Sequence, residues 1–154
     1  MDWDTYFINM LSSIAAKSKL PIKVGCVIVG PNHEIRSTGF NGLPRGVRDF
    51  DDRLQFPEAY KWGEHADRNA IYNAARNGVG LEGCKIYLPV HPCIDCARAI
   101  ISVGIKEVII DYDCAYERIE RLTDSGRLNE IKTVETMFTE VGVSLWWYNR
   151  NEEI

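Results

Sequence analysis

Residues 84–111 read CKIYLPVHPCIDCARAIISVGIKEVIID, and this run decides the fold. A short apolar segment, 84–88, reads as a strand. The run 93–103 then reads as a helix stopped by Gly104, and 107–111 reads as a second apolar strand. Strand, helix and strand in this order imply a parallel pair joined by a crossover helix. Working towards the N-terminus, 64–77 reads as a helix stopped by Gly78. The stretch 41–63 is long, polar and mixed in charge, with Gly42, Pro44 and Gly46 near its start, and reads as a loop. Residues 23–29 and 34–40 read as two strands turned by Gly30, Pro31 and Asn32, which is a hairpin. Residues 2–17 place Phe7, Ile8, Leu11, Ile14 and Ala15 on one helical face. Towards the C-terminus, a helical region is weak over 116–124 and stronger over 127–140, and 143–148 closes as a strand. The order α-ββ-α-β-α-β-α-β predicts an α/β fold with a mixed five-stranded sheet, its crossovers placing helices on both faces.

The chain has 154 residues and 17.5 kDa, the size of one domain, expected over 1–154. Hydrophobic residues make up 45% and charged residues 26%, which excludes a disordered or fibrous protein. No apolar run reaches the ~18 residues of a membrane helix, and no signal segment opens the chain, so no membrane partner and a cytoplasmic location are expected. The net charge of -4 makes long nucleic acid a poor partner, because phosphates need a basic surface. Five cysteines, an odd number without an export signal, fit a reducing compartment better than a disulfide framework.

His65 opens one expected helix, and Cys93 and Cys96 open another within Pro92-Cys93-Ile94-Asp95-Cys96. A C-x-x-C pair at a helix start can put both sulfurs on one ion, where the helix N-terminus favours thiolate. Pro92 suits the first helical position, which needs no N–H. One His and two Cys leave a fourth zinc position for water, the catalytic pattern. Asp67 lies two residues after the histidine. Zinc lowers the pKa of a bound water to about 7, and a nearby carboxylate can take and return its proton. Two other readings stand beside this one: a redox dithiol, and a structural site completed by His91, Cys84 or Cys114.

These residues resemble the zinc-dependent cytidine/deoxycytidylate deaminase superfamily, whose pattern is H-[AV]-E followed by P-C-x-x-C. Here the pattern is His65-Ala66-Asp67 and Pro92-Cys93-Ile94-Asp95-Cys96. The segments 24–29, 39–46, 69–71, 96–101 and 104–108 look like the deoxycytidylate branch, so the resemblance runs over about residues 5–148. It implies a three-layer α/β/α cytidine-deaminase-like fold. It also implies hydrolytic deamination of dCMP to dUMP and ammonia, supplying deoxyuridylate for thymidylate synthesis, with dCTP as a further candidate substrate. It assigns Zn2+ to His65, Cys93 and Cys96 and the acid/base role to Asp67. The position of Asp67 is glutamate in the family. The shorter side chain sets the carboxylate back by about 1.5 Å, and a misplacement of about 1 Å can cost ~100-fold in rate. A nucleotide-binding sensor of the same fold, with catalysis weakened at Asp67, is therefore the alternative function.

The resemblance further places Ala66 and Pro92 beside the base and Asn41 on the sugar or base. As a residue, Asn41 in Asn41-Gly42 also reads as a turn former, and the resemblance favours the binding role. Arg45, Arg48 and Lys19 are candidate phosphate contacts or plain surface charges. Tyr112 and Tyr116 follow a strand end, where α/β proteins bind ligands. His91 reads as a strand-end residue. Trp146 and Trp147 adjoin on the last strand, so one is expected in the core and one at the surface. Cys26, Cys84 and Cys114 read as small buried hydrophobes. The resemblance also implies a homo-oligomer, a hexamer, regulated by dCTP and dTTP with Mg2+ on the triphosphate. A polynucleotide cytosine deaminase is disfavoured by the acidic charge.

Overall fold

The computed structural model describes residues 1–115 and 125–150. Helix α1 spans Trp3–Ala15 and starts at Asp2, whose carboxylate accepts from the Thr5 N–H at 2.8 Å. Phe7, Ile8 and Leu11 form its buried face. Strands β1 (Gly25–Val29) and β2 (Ile35–Phe40) pair antiparallel as the expected hairpin. Helix α4 (Ala66–Arg76) and helix α5 (Ile94–Ser102) are followed by Gly78 and Gly104 at positive φ, where a left-handed residue ends a helix at little cost. Strands β3 (Lys85–Leu88), β4 (Glu107–Asp111) and β5 (Ser144–Tyr148) alternate with α5 and with α6 (Ser125–Val141).

The five strands form one mixed sheet in the order β2-β1-β3-β4-β5. Strand β1 is antiparallel to both neighbours, and β3, β4 and β5 run parallel. Alternation along β1 splits the core. Cys26 and Ile28 face α4, α5 and α6 with Ile86, Ile100, Ile110, Val134 and Phe138. Val27 and Val29 face α1 with Phe7, Leu11, Tyr87 and Ile109. The molecule is thus three-layered, α/β/α.

Several expectations change. Both crossover helices, α5 and α6, lie with α4 on one face, and among the described residues α1 covers the other. The parallel strands advance in one direction across the sheet, so right-handed crossovers return on one side. The stretch 41–63 contains two four-residue helices, α2 (Asp51–Leu54) and α3 (Ala59–Trp62). Leu54 and Ala59 bury with Leu20 in a small satellite core, a packing too local to leave a helical period in the sequence. Pro92 precedes the α5 cap instead of occupying the first turn, because Cys93 is the N-cap. Trp146 and Trp147 are both exposed, at 59% and 39%. Strand β5 is an edge of the sheet, which leaves its side chains with packing neighbours on one flank only. Cys26 and Cys84 are fully buried, whereas Cys114 is half-buried. The weak helix expected over 116–124 lies outside the described residues, as does Tyr116. No helix among the described residues is long and apolar enough to cross a membrane.

Candidate metal centre

Two helix starts meet at one point. His65 caps α4 and Cys93 caps α5, and Cys96 lies in the first turn of α5. The His65 Nδ1 atom is 3.5 Å from Cys93 Sγ and 3.4 Å from Cys96 Sγ. All three donor atoms lie within 4.8 Å of one another. Zinc with bonds of about 2.3 Å to sulfur and about 2.0–2.1 Å to nitrogen, at tetrahedral angles, separates N and S by about 3.6 Å. The two N···S distances therefore fit a shared ion. Among the described residues no other group of three such donors comes together.

The electrostatics point the same way. The Cys96 thiol and backbone N–H, with His65, hold the Cys93 thiol down to about 3, despite its burial. Cys96 moves up, first because it donates to Cys93, with burial adding to the effect. Its partner thiolate raises His65. A cation held by these donors requires both sulfurs as thiolates, so its binding releases protons. Both helix N-termini supply positive partial charge to the same sulfurs.

Asp67 is 6% exposed, and its Oδ1 accepts from the Cys96 thiol at 2.8 Å. Burial raises its pKa, and the Cys96 contact opposes the rise. Beneath it, Cys26 Sγ donates to the Ala66 carbonyl at 3.3 Å.

Several contacts brace the two helix starts. Arg68 donates to Glu64 Oε1 at 2.6 Å and lies 3.4 Å from Asp95, tying α4 to α5. Gly42 and Glu64 exchange backbone hydrogen bonds at 3.1 and 2.8 Å, which fastens the Asn41 turn beside His65. Sequence reading passed over Arg68, although its i,i+4 spacing from Glu64 was a usable signal.

A cavity of about 180 Å³ opens onto the centre. His65, Asp67, Cys93, Ala66, Pro92 and Asn41 all line it. The Asn41 side chain is also engaged in its turn, accepting from the Val24 N–H at 2.8 Å and donating to the Ile22 carbonyl at 2.6 Å. His91 lines the cavity too, 3% exposed, with Nδ1 3.0 Å from the Pro92 carbonyl. Burial lowers its pKa, and the Pro92 carbonyl and Glu135 oppose the shift.

The three cations singled out from sequence are placed elsewhere. Lys19 pairs with Asp49 at 2.7 Å, and Arg48 lies over Phe50. Arg45 donates to Asn73 in a separate surface cleft of about 280 Å³ that also holds Arg76 and Tyr72. Tyr112 packs edge-on against Trp147. Among the described residues, the arginine lining the cavity is Arg127, which was not a candidate from sequence. A lone arginine near a helix start carries no motif, so no signal marked it.

Comparison with known proteins agrees with this geometry. The family model for the cytidine and deoxycytidylate deaminase zinc-binding region matches residues 1–112. The chain is 36% identical over 122 residues to a deoxycytidylate deaminase of Pongo abelii, covering 73% of this chain and 66% of that protein. It is 36% identical over 146 residues to an uncharacterized deaminase in the luxG 3′ region of Aliivibrio fischeri, covering 94% of this chain and 92% of that one. In fold it resembles the crystal structure of dCMP deaminase from the cyanophage S-TIM5. The TM-score is 0.68 at 20% identity, over 94% of this chain and 96% of the phage chain.

Proposed function

We propose, because the chain belongs to the cytidine and deoxycytidylate deaminase family, that it hydrolyses deoxycytidylate to deoxyuridylate and ammonia through a single domain over 1–154. The observation that carries the reading is a His/Cys/Cys donor set at zinc spacing with a buried carboxylate beside it. His65, Cys93 and Cys96 would hold Zn2+, which when bound supplies a water acidified to about pKa 7 as nucleophile. Asp67 is the acid/base. Its carboxyl lines the cavity, where it would pass a proton to N3 of the ring and then to the departing amino group, and burial shifts its pKa upward. Cys96 ligating as a thiolate has no proton to donate, so ligation frees Asp67 Oδ1 for the cavity. Ala66 and Pro92 wall the base, and Asn41 shapes the sugar end.

The second reading is a nucleotide-binding sensor of the same fold, with catalysis weakened because Asp67 stands where the family has glutamate. Acceptance of dCTP, control by dCTP and dTTP with Mg2+, a homo-oligomer and a cytoplasmic role in supplying deoxyuridylate belong to the same proposal. The cleft lined by Arg45 and Arg76, separate from the metal centre, supports the regulatory part by carrying two arginines. The test is ammonia release from dCMP, dCTP and deoxycytidine by zinc-loaded protein, beside Asp67→Glu and Asp67→Ala. Turnover by the natural chain that falls about 100-fold or more in Asp67→Ala supports the enzyme. Nucleotide binding with turnover in Asp67→Glu alone supports the sensor. No turnover in any form overturns the substrate.

A further inference from the structure

Helix α4 buries Ala66, Ala70 and Ala74, one small residue per turn and each no more than 2% exposed. Small side chains bring its backbone close to the β1–β2 hairpin, and two helix carbonyls are met there by hairpin side chains. Cys26 Sγ, fully buried on β1, donates to the Ala66 carbonyl at 3.3 Å. Ser37 Oγ, buried on β2, donates to the Ala70 carbonyl at 2.6 Å. In the hairpin register Cys26 faces Gly39 and Ser37 faces Ile28, so the two donors stand diagonally across the two strands. Asn69 and Asn73 donate the other way, to the Phe40 and Thr38 carbonyls of β2 at 2.9 and 2.8 Å. Methyl contacts are non-directional and would let the helix slide, whereas these bonds each have a preferred distance and angle.

The tie at Ala66 bears on the chemistry. Ala66 stands between His65, a metal donor, and Asp67. Asp67 has one methylene fewer than the glutamate of the family, so the place of its carboxylate is set more by the backbone than by side-chain adjustment. We infer that Cys26 and Ser37 are positioning residues, which hold the Ala66 and Ala70 carbonyls and so set how deep the α4 start lies and where it presents the Asp67 carboxylate. This rests on the deaminase reading and adds to it two residues that line no part of the cavity among its described lining residues.

The test is a double-mutant cycle with two readouts: turnover of dCMP by zinc-loaded protein, and the visible absorption of cobalt-loaded protein, which reports ligand geometry without turnover. Cys26→Ala should lower kcat about 5- to 50-fold and change KM by less than about threefold, because a displacement well below 1 Å is costly to the chemical step. It should also alter the cobalt bands. Cys26→Ser, which restores a donor, should recover most of the loss. Ser37→Ala should act in the same direction and more weakly, one turn further from Asp67. Cys84 is equally buried in the same core and, among the described residues, makes no hydrogen bond to α4. Cys84→Ala should therefore lower Tm by a comparable amount and leave kcat unchanged. In an Asp67→Glu background the Cys26→Ala loss should shrink, since the longer side chain can adjust. A folded Cys26→Ala protein with natural kcat and natural cobalt bands overturns the assignment and leaves the deaminase reading intact. So does an equal kcat loss in Cys84→Ala, or strict additivity with Asp67→Glu. If no form turns over dCMP, the deaminase reading falls and the cobalt bands decide: unchanged bands overturn the positioning role, and shifted bands support it.

Discussion

A Cβ placed on Gly39 would run into the carbonyl of Ala66 and the backbone of Ala70, reaching the Ala70 Cα at 2.9 Å. Strand β2 and helix α4 are in contact through that missing side chain, and His65 and Asp67 sit at the start of the same helix. Backbone cannot swing aside as a side chain can, so Gly39→Ala should cost about 1–3 kcal/mol of stability and move the donor cluster. Gly80→Ala, which meets no atom within 4 Å, is the matched control and should be neutral or slightly stabilising. Thermal melts of the two variants, with zinc content alongside, check this. An unshifted melt for Gly39→Ala would show that α4 can recede from the sheet. At this scale the donor set was legible because ligation demands particular atoms, and Cys93-x-x-Cys96 on a helix start is short enough to be written in adjacent residues. Arg127 was not legible. Its position depends on how α6 packs, and packing between distant segments leaves no spacing to read.

Helices α4 and α5 are joined at their first turns by donors that lie 28 and 31 residues apart. An ion held by both helices is a clip across that loop, and its binding free energy adds to folding. With free zinc at about 100 times its dissociation constant, the gain is about 2.7 kcal/mol. For a chain of this size that is a rise of roughly 5–11 °C in Tm. Chelation should reverse the rise. His65→Ala, Cys93→Ala and Cys96→Ala should each abolish it together with stoichiometric zinc, as melts with metal analysis would show. A full rise retained in any of the three removes that residue from the ligand set. The long elements were read to within a residue or two because each buries one face over several turns, as Phe7, Ile8 and Leu11 do on α1. The four-residue helices α2 and α3 were missed. One turn has no period, and their burial depends on Leu20 from another part of the chain.

Across the whole molecule, the mixed sheet and three layers followed from element order. The distribution of helices did not. Which face receives a crossover depends on the direction in which successive strands are added, and a linear pattern does not carry that direction. The asymmetry leaves a second cleft of about 720 Å³ on the α1 face, bounded by Ser12, Lys23, Asp111 and Arg150. It lies across the sheet from the donor cluster, so the larger opening is not the one that meets the metal centre.

The exposed end of β5 gives the molecule an optical reporter. The Trp147 ring stacks on His91 at 6.0 Å, and His91 is part of the cavity floor. The indole thus senses the polarity and packing of a chamber it does not itself enter. Filling that chamber with dUMP should change the emission colour and intensity under selective tryptophan excitation. Trp147→Phe should remove most of the change and leave the affinity close to that of the natural chain. A signal that survives this replacement would come instead from Trp3, Trp62 or Trp146. Either way, occupancy of the chamber can be followed in real time, without a label and without waiting for a product.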